Sequence, residues 1–122
     1  MNRHRFRALV AEAIDELPEH IAARLCNVEV IVDDEPAAEL LDELGLHSRH
    51  DTLLGLYEGT PLAERGGDDA FSLPDRITLF YRPLVRACRN PVALRREIRK
   101  TLVHEIAHFF GLEDEEIERE GY

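Results

Sequence analysis

Near its C-terminus the chain carries His104-Glu105-Ile106-Ala107-His108-Phe109-Phe110-Gly111-Leu112-Glu113-Asp114. Two imidazoles four residues apart stand one above the other on a helix and can grip a single cation. Two nitrogen ligands leave a tetrahedral zinc short of partners, so a third protein group and a water are expected. Gly111 tolerates a left-handed backbone, which ends a helix and turns the chain back. Asp114, three residues further on, can then swing under the histidines. His104, His108 and Asp114 are the candidate metal ligands, with Glu113, Glu115 and Glu116 crowding the same turn. Glu105 sits beside the ligand pair and not in line with it, within reach of a water on the metal. Zinc brings such a water's pKa toward ~7, and a nearby carboxylate can take its proton and deliver it to a leaving amine. The same donor set would accept cobalt, manganese or nickel.

Other residues of the right type are placed less tellingly. His47 and His50 are three apart, but Gly45 and Ser48 mark a loop, so exposed histidines are expected. Tyr57, Tyr81 and Tyr122 could each hydrogen-bond a developing oxyanion, and nothing in the sequence selects one. His4 and His20 carry no pattern. Cys26 and Cys88 lie far apart and outside any C-x-x-C spacing, which reads as two reduced thiols and not a disulfide framework.

The elements that must position these groups are legible in outline. Phe6, Leu9, Val10, Ala13, Ile14 and Leu17 recur at helical spacing, and Pro18 stops the pattern. Val28 to Val32 is short and β-branched and predicts a strand. Asp33 to Pro36 predicts a turn into a short helix over Ala37 to Leu44, closed by Gly45. Leu53 to Tyr57 predicts a second strand, Thr60 to Asp75 a surface loop, and Ile77 to Tyr81 a third strand. Asn90-Pro91 supplies a cap and a first-turn proline for a long helix running to about Phe110. The order α-β-α-β-β-α predicts one small α+β domain spanning residues 1–122, with the last helix at its core.

Composition narrows the function classes. With 44% hydrophobic residues the chain can bury a core without disulfides. The formal charge is −10, from 25 acidic and 15 basic residues, and would repel a nucleic-acid backbone. The basic clusters Arg3/Arg5/Arg7 and Arg95/Arg96/Arg99/Lys100 lie on predicted helices among acidic neighbours and read as solvated faces. No apolar run reaches the ~18 residues of a membrane span. The first apolar stretch is broken by Glu12, Asp15 and Glu16, unlike a signal peptide. A cytoplasmic protein without nucleic-acid or membrane partners is expected.

The site string resembles that of the minimal zincin-like metallopeptidases, small bacterial proteins. Leu53-Leu54-Gly55-Leu56-Tyr57-Glu58-Gly59-Thr60-Pro61-Leu62 looks like that family's strand before its long loop, and Pro74 to Phe80 like the strand before its active-site helix. The resemblance implies a small mixed sheet packed on the H-E-x-x-H helix, with a strand edge beside a metal cleft. It also implies zinc as cofactor, His104, His108 and Asp114 as ligands, and Glu105 as general base. The glycine and third-ligand offsets look like the metzincin arrangement, with aspartate where histidine is usual. The methionine turn of metzincins has no counterpart, the sole methionine being Met1.

The leading expectation is therefore a zinc metallopeptidase that hydrolyses peptide bonds in a restricted peptide or protein substrate. An alternative keeps the zinc without turnover, as a peptide-recognition or regulatory module, since only eight residues follow Asp114 to build a cleft wall. A metal-dependent ribonuclease using H-x-x-x-H-x-x-G-x-x-H would lack Glu105, and the −10 charge opposes RNA. A vestigial, metal-free motif is the remaining reading.

Overall fold

The computed structural model describes residues 1–45, 53–59 and 75–111. The first helix, α1, spans Arg3–Asp15, and the Asn2 side chain accepts from the Arg5 N–H at 2.8 Å. That bond satisfies one of the amides a helix start leaves open. Phe6, Leu9, Val10 and Ala13 form its buried stripe. The expected helix ran to Leu17, but α1 stops at Asp15 because the residue before a proline is driven out of helical geometry. Pro18 then caps a short α2, Glu19–Ala22, which continues as a 3-10 turn over Ala23–Leu25.

Strand β1 is Val28–Asp33, followed by α3 (Ala38–Glu43) and Gly45 at φ +76°. Strand β2 is Gly55–Glu58 and β3 is Asp75–Phe80. The sheet order is β1-β3-β2, with β1 parallel and β2 antiparallel to the central β3. This is the mixed sheet expected. The third strand, expected to include Tyr81, ends at Phe80, and Tyr81 opens a further helix, α4 (Tyr81–Ala87). Pro83 falls in its first turn, where a missing N–H costs nothing. The Tyr81 ring meets Phe6 edge-on at 5.0 Å, and its hydroxyl donates to the Met1 carbonyl at 2.8 Å.

The last described helix, α5, is Pro91–Phe110. Asn90 accepts from the Ala93 N–H at 2.8 Å, Pro91 stands in the first turn, and Gly111 ends the helix at φ +69°. These are the boundaries the sequence predicted, since every capping residue is local to the helix.

The core joins three surfaces. Phe6, Leu9, Val10 and Ala13 of α1 meet Ile77 and Leu79 of β3 and Leu94, Ile98, Leu102, Val103, Ile106 and Ala107 of α5. Along the rim of the α1–α5 contact, Arg95 reaches Glu12 at 3.5 Å and Glu16 at 3.4 Å, and Arg99 reaches Glu16 at 2.7 Å. The basic stretch on α5 thus serves partly to tie down α1, with partly solvated pairs worth at most about 1 kcal/mol each. Among the described residues, no helix is long and apolar enough to cross a membrane.

Candidate metal and catalytic site

At about 100° per residue, α5 presents two opposed arcs. Leu102, Val103, Ile106 and Ala107 are fully buried on one of them. His104, Glu105 and His108 fall on the other, with His104 and Glu105 half-buried and His108 exposed. The helix is split between a core side and a side that carries the candidate site residues.

Strand β2 lies along that second side. The Phe80 N–H donates to the Leu54 carbonyl at 3.0 Å, so Leu54, Leu56 and Glu58 turn their backbone groups toward β3. By alternation, Gly55 and Tyr57 turn theirs to the outer edge. Side chains alternate as well, and Gly55, Tyr57 and Gly59 share the face against α5. A Cβ on Gly55 would come within 2.7 Å of Thr101 Cγ2 and 3.2 Å of the Thr78 carbonyl oxygen. A Cβ on Gly59 would come within 2.6 Å of the Phe109 ring. Two strand residues advance about 6.8 Å and four helix residues about 6.0 Å, so strand and helix stay in step. The two glycines let them approach, and the tyrosine between them fills the space. Its ring stacks on Phe109 with centroids 4.0 Å apart and planes 19° apart.

Because Gly55 has no room for a methyl group, Gly55→Ala is expected to destabilise the fold by about 1–3 kcal/mol. Thr101→Ser deletes the methyl that the new Cβ would meet at 2.7 Å and should return part of that loss. Urea unfolding of the two single variants and the double variant checks this. Strictly additive effects would refute the contact.

Between β2 and α5 lies a groove of about 280 Å³ lined by Leu53, Leu54, Gly55, Glu97, Lys100, Thr101, His104 and Glu105. Partial burial in this groove raises the Glu105 carboxyl above its ordinary range. The nearby His108 and the Tyr57 backbone amide, which donates to the carboxylate, oppose the shift less strongly. On the neighbouring ligand candidate, His104 Nε2 is buried and has no hydrogen-bond partner among the described residues. Buried polar atoms are rarely left so, and each instance asks for an explanation. An imidazole nitrogen left so is free to ligate a cation.

The raised Glu105 carboxyl has a consequence in metal-free protein. A carboxyl whose folded pKa exceeds its unfolded value favours the fold when protonated, and that contribution is lost as pH rises through the folded pKa. Glu105→Gln, neutral throughout, is therefore expected to exceed the parent in stability at and above neutrality. The difference should close on acidification toward the ordinary glutamate range. Denaturant unfolding of both metal-free proteins from acid to neutral pH measures it.

The profile of the zincin-like metallopeptidases matches residues 25–122, which include both flanking strands and the H-E-x-x-H helix. The chain belongs to that family. This zincin-like chain is also similar to a solved structure, a conserved hypothetical protein of Thermus thermophilus. The two share 23% identity over 90% of this chain and 94% of that one, with a TM-score of 0.59. That likeness extends to the fold. No curated protein matches the chain.

The structure brings His104, Glu105 and His108 of this zincin-like chain to one arc, as their spacing required. Among the described residues, no group of three or more His, Cys, Asp or Glu side chains is arranged to hold a metal. Asp114, the expected third ligand, lies outside the described residues, as do His47, His50 and Tyr122. Tyr81 is committed to Met1 on the α1 side. The Tyr57 hydroxyl donates to Asp75 Oδ2 at 2.8 Å, so Tyr57 meets the site through its amide and its ring. The sequence patterns assign Gly55, Gly59 and Asp75 no role at the site, and Asp75, expected at the end of a surface loop, opens the central strand. The available signal was a tyrosine flanked two residues either way by glycine, which in a strand marks close backbone approach.

Proposed function

We propose that this zincin-like chain is a zinc-dependent peptidase in which His104, His108 and Asp114 hold the metal and Glu105 is the general base. The observation that carries the reading is the placement of Glu105. It is half-buried in a groove, beside two histidines on one helical arc and against an outward-facing strand amide. Zinc bound by those residues would supply Lewis acidity toward a water and a peptide carbonyl. The Nε2 of His104, without a hydrogen-bond partner among the described residues, is the feature that fits it. Glu105, with its carboxyl held above the usual range, is suited to accept a proton from the attacking water and return it to the leaving amine.

Strand β2 supports an extended peptide as the substrate class. An extended peptide laid along its outer edge would pair with the backbone of Gly55 as an added strand, carrying its scissile bond past Glu105. The unpaired thiols of Cys26 and Cys88 suit the reducing cytoplasm as the working compartment.

Metal analysis of the purified protein and of His108→Ala, followed by peptide-library profiling of the zinc-loaded form, tests this directly. One zinc per wild-type chain, reduced occupancy in the variant and cleavage at defined bonds are expected. A zinc-loaded wild type that cleaves nothing would leave the second reading, zinc-dependent peptide recognition without turnover, which the same strand edge favours. Retained peptide binding in Glu105→Ala would identify that case.

A further inference from the structure

Asp75 is a carboxylate only 8% exposed, at the start of the central strand. Burying a carboxylate is costly without strong partners, so its position implies a task. Its Oδ2 accepts from the Tyr57 hydroxyl at 2.8 Å. The Tyr57 ring in turn lies flat on Phe109, the residue that follows His108. Phe109 is itself 45% exposed, so burial does not account for its place. Gly59 lacks the Cβ that would otherwise strike the same ring. The register of β2 then directs the Tyr57 N–H out of the sheet, on the side of Glu105.

We infer that Asp75, Tyr57 and Phe109 form a clamp that fixes the separation between the β2 edge and the last turns of α5, making Tyr57 and Asp75 positioning residues for Glu105. Asp75 anchors the phenol to the central strand. The phenol sets the height of the ring stack, and the stack holds the end of α5 against β2. With that spacing fixed, the outward amide of residue 57 meets the Glu105 carboxylate. Neither side chain touches the reacting atoms, and Tyr57 reaches Glu105 through its backbone N–H alone. The catalytic consequence rests on the peptidase reading, whereas the clamp itself does not.

The test uses Tyr57→Phe, which keeps the ring and deletes the hydroxyl, and Asp75→Asn, which keeps an acceptor for that hydroxyl. Hydrogen exchange is followed amide by amide. In Tyr57→Phe the amide of residue 57 should exchange about fivefold faster or more, the scale of one lost hydrogen bond. The amides of Leu56 and Glu58, which face β3, should keep their protection, and Asp75→Asn should resemble the wild type. Where the wild type cleaves peptide, Tyr57→Phe should lower kcat by about 10–100-fold with KM nearly unchanged, as loss of a supporting hydrogen bond does. Asp75→Asn should retain most of the rate. Unaltered exchange at residue 57 in Tyr57→Phe overturns the clamp. So does equal acceleration at residues 56 and 58, which would mean that the phenol only holds the sheet together. A wild type without peptidase activity would defeat the peptidase reading, and the exchange data would still decide the clamp.

Discussion

Glu105→Gln is expected to retain zinc and to lose about a hundred- to ten-thousand-fold in kcat/KM toward a cleaved peptide. The substitution is nearly isosteric. Its amide oxygen can still accept from the Tyr57 N–H, so the groove between β2 and α5 should keep its shape. What disappears is the ability to take a proton. His104 and His108 remain on the same arc, which is why metal content should not follow the rate. Glu105→Asp keeps the charge but draws the carboxylate back by one methylene, so an intermediate loss is expected. Kinetics on one library-derived peptide, with zinc quantified in every preparation, makes the comparison. Wild-type turnover in Glu105→Gln would remove this residue from the reaction. Parallel loss of zinc and rate would instead make it a contributor to metal binding.

The second large effect concerns the opposite arc of the same helix. Ile106 is fully buried beside Leu102, Val103 and Ala107. Ile106→Ala should cost about 2–5 kcal/mol, the sum of lost transfer energy and the cavity left behind. That is a large share of the roughly 5–15 kcal/mol that holds a domain together. Zinc offers a counterweight, because a metal held by the folded helix and scarcely by the unfolded chain stabilises the fold. At free zinc about a hundredfold above Kd the gain is about 2.7 kcal/mol. Melting curves of Ile106→Ala should therefore move upward with added zinc, and the shift should vanish when His108→Ala is combined with it. A zinc-independent melting temperature would show that the folded protein holds no metal, whatever its motif.

The division of α5 into these arcs explains why the grouping of His104, Glu105 and His108 was legible in the sequence. His104, Glu105 and His108 are related by one turn of one helix, and a helix is fixed by neighbours within four residues. Asn90, Pro91 and Gly111 mark its ends by equally local chemistry. The β-branched run at Val28 and the turn signals around Gly45 are likewise local and gave their elements to within a residue or two. The strand expected to run through Tyr81 failed for a different reason. Tyr81 favours strand by type, and its packing against Phe6, from the far end of the chain, accompanies its place in α4.

The sequence by itself therefore determined that two histidines and a glutamate share one helix face, and the α+β class, because each depends on contacts between near neighbours. Tertiary structure decided that β3 is central, that β2 is the strand beside the site, and that its outer amide at Tyr57 meets Glu105. It also decided that Gly55 and Gly59 are openings for Thr101 and Phe109, and that Asp75 reaches the phenol of Tyr57. Those contacts join residues distant in the chain. Their energy exists only once the sheet and α5 have packed, and no local spacing encodes which surfaces will meet.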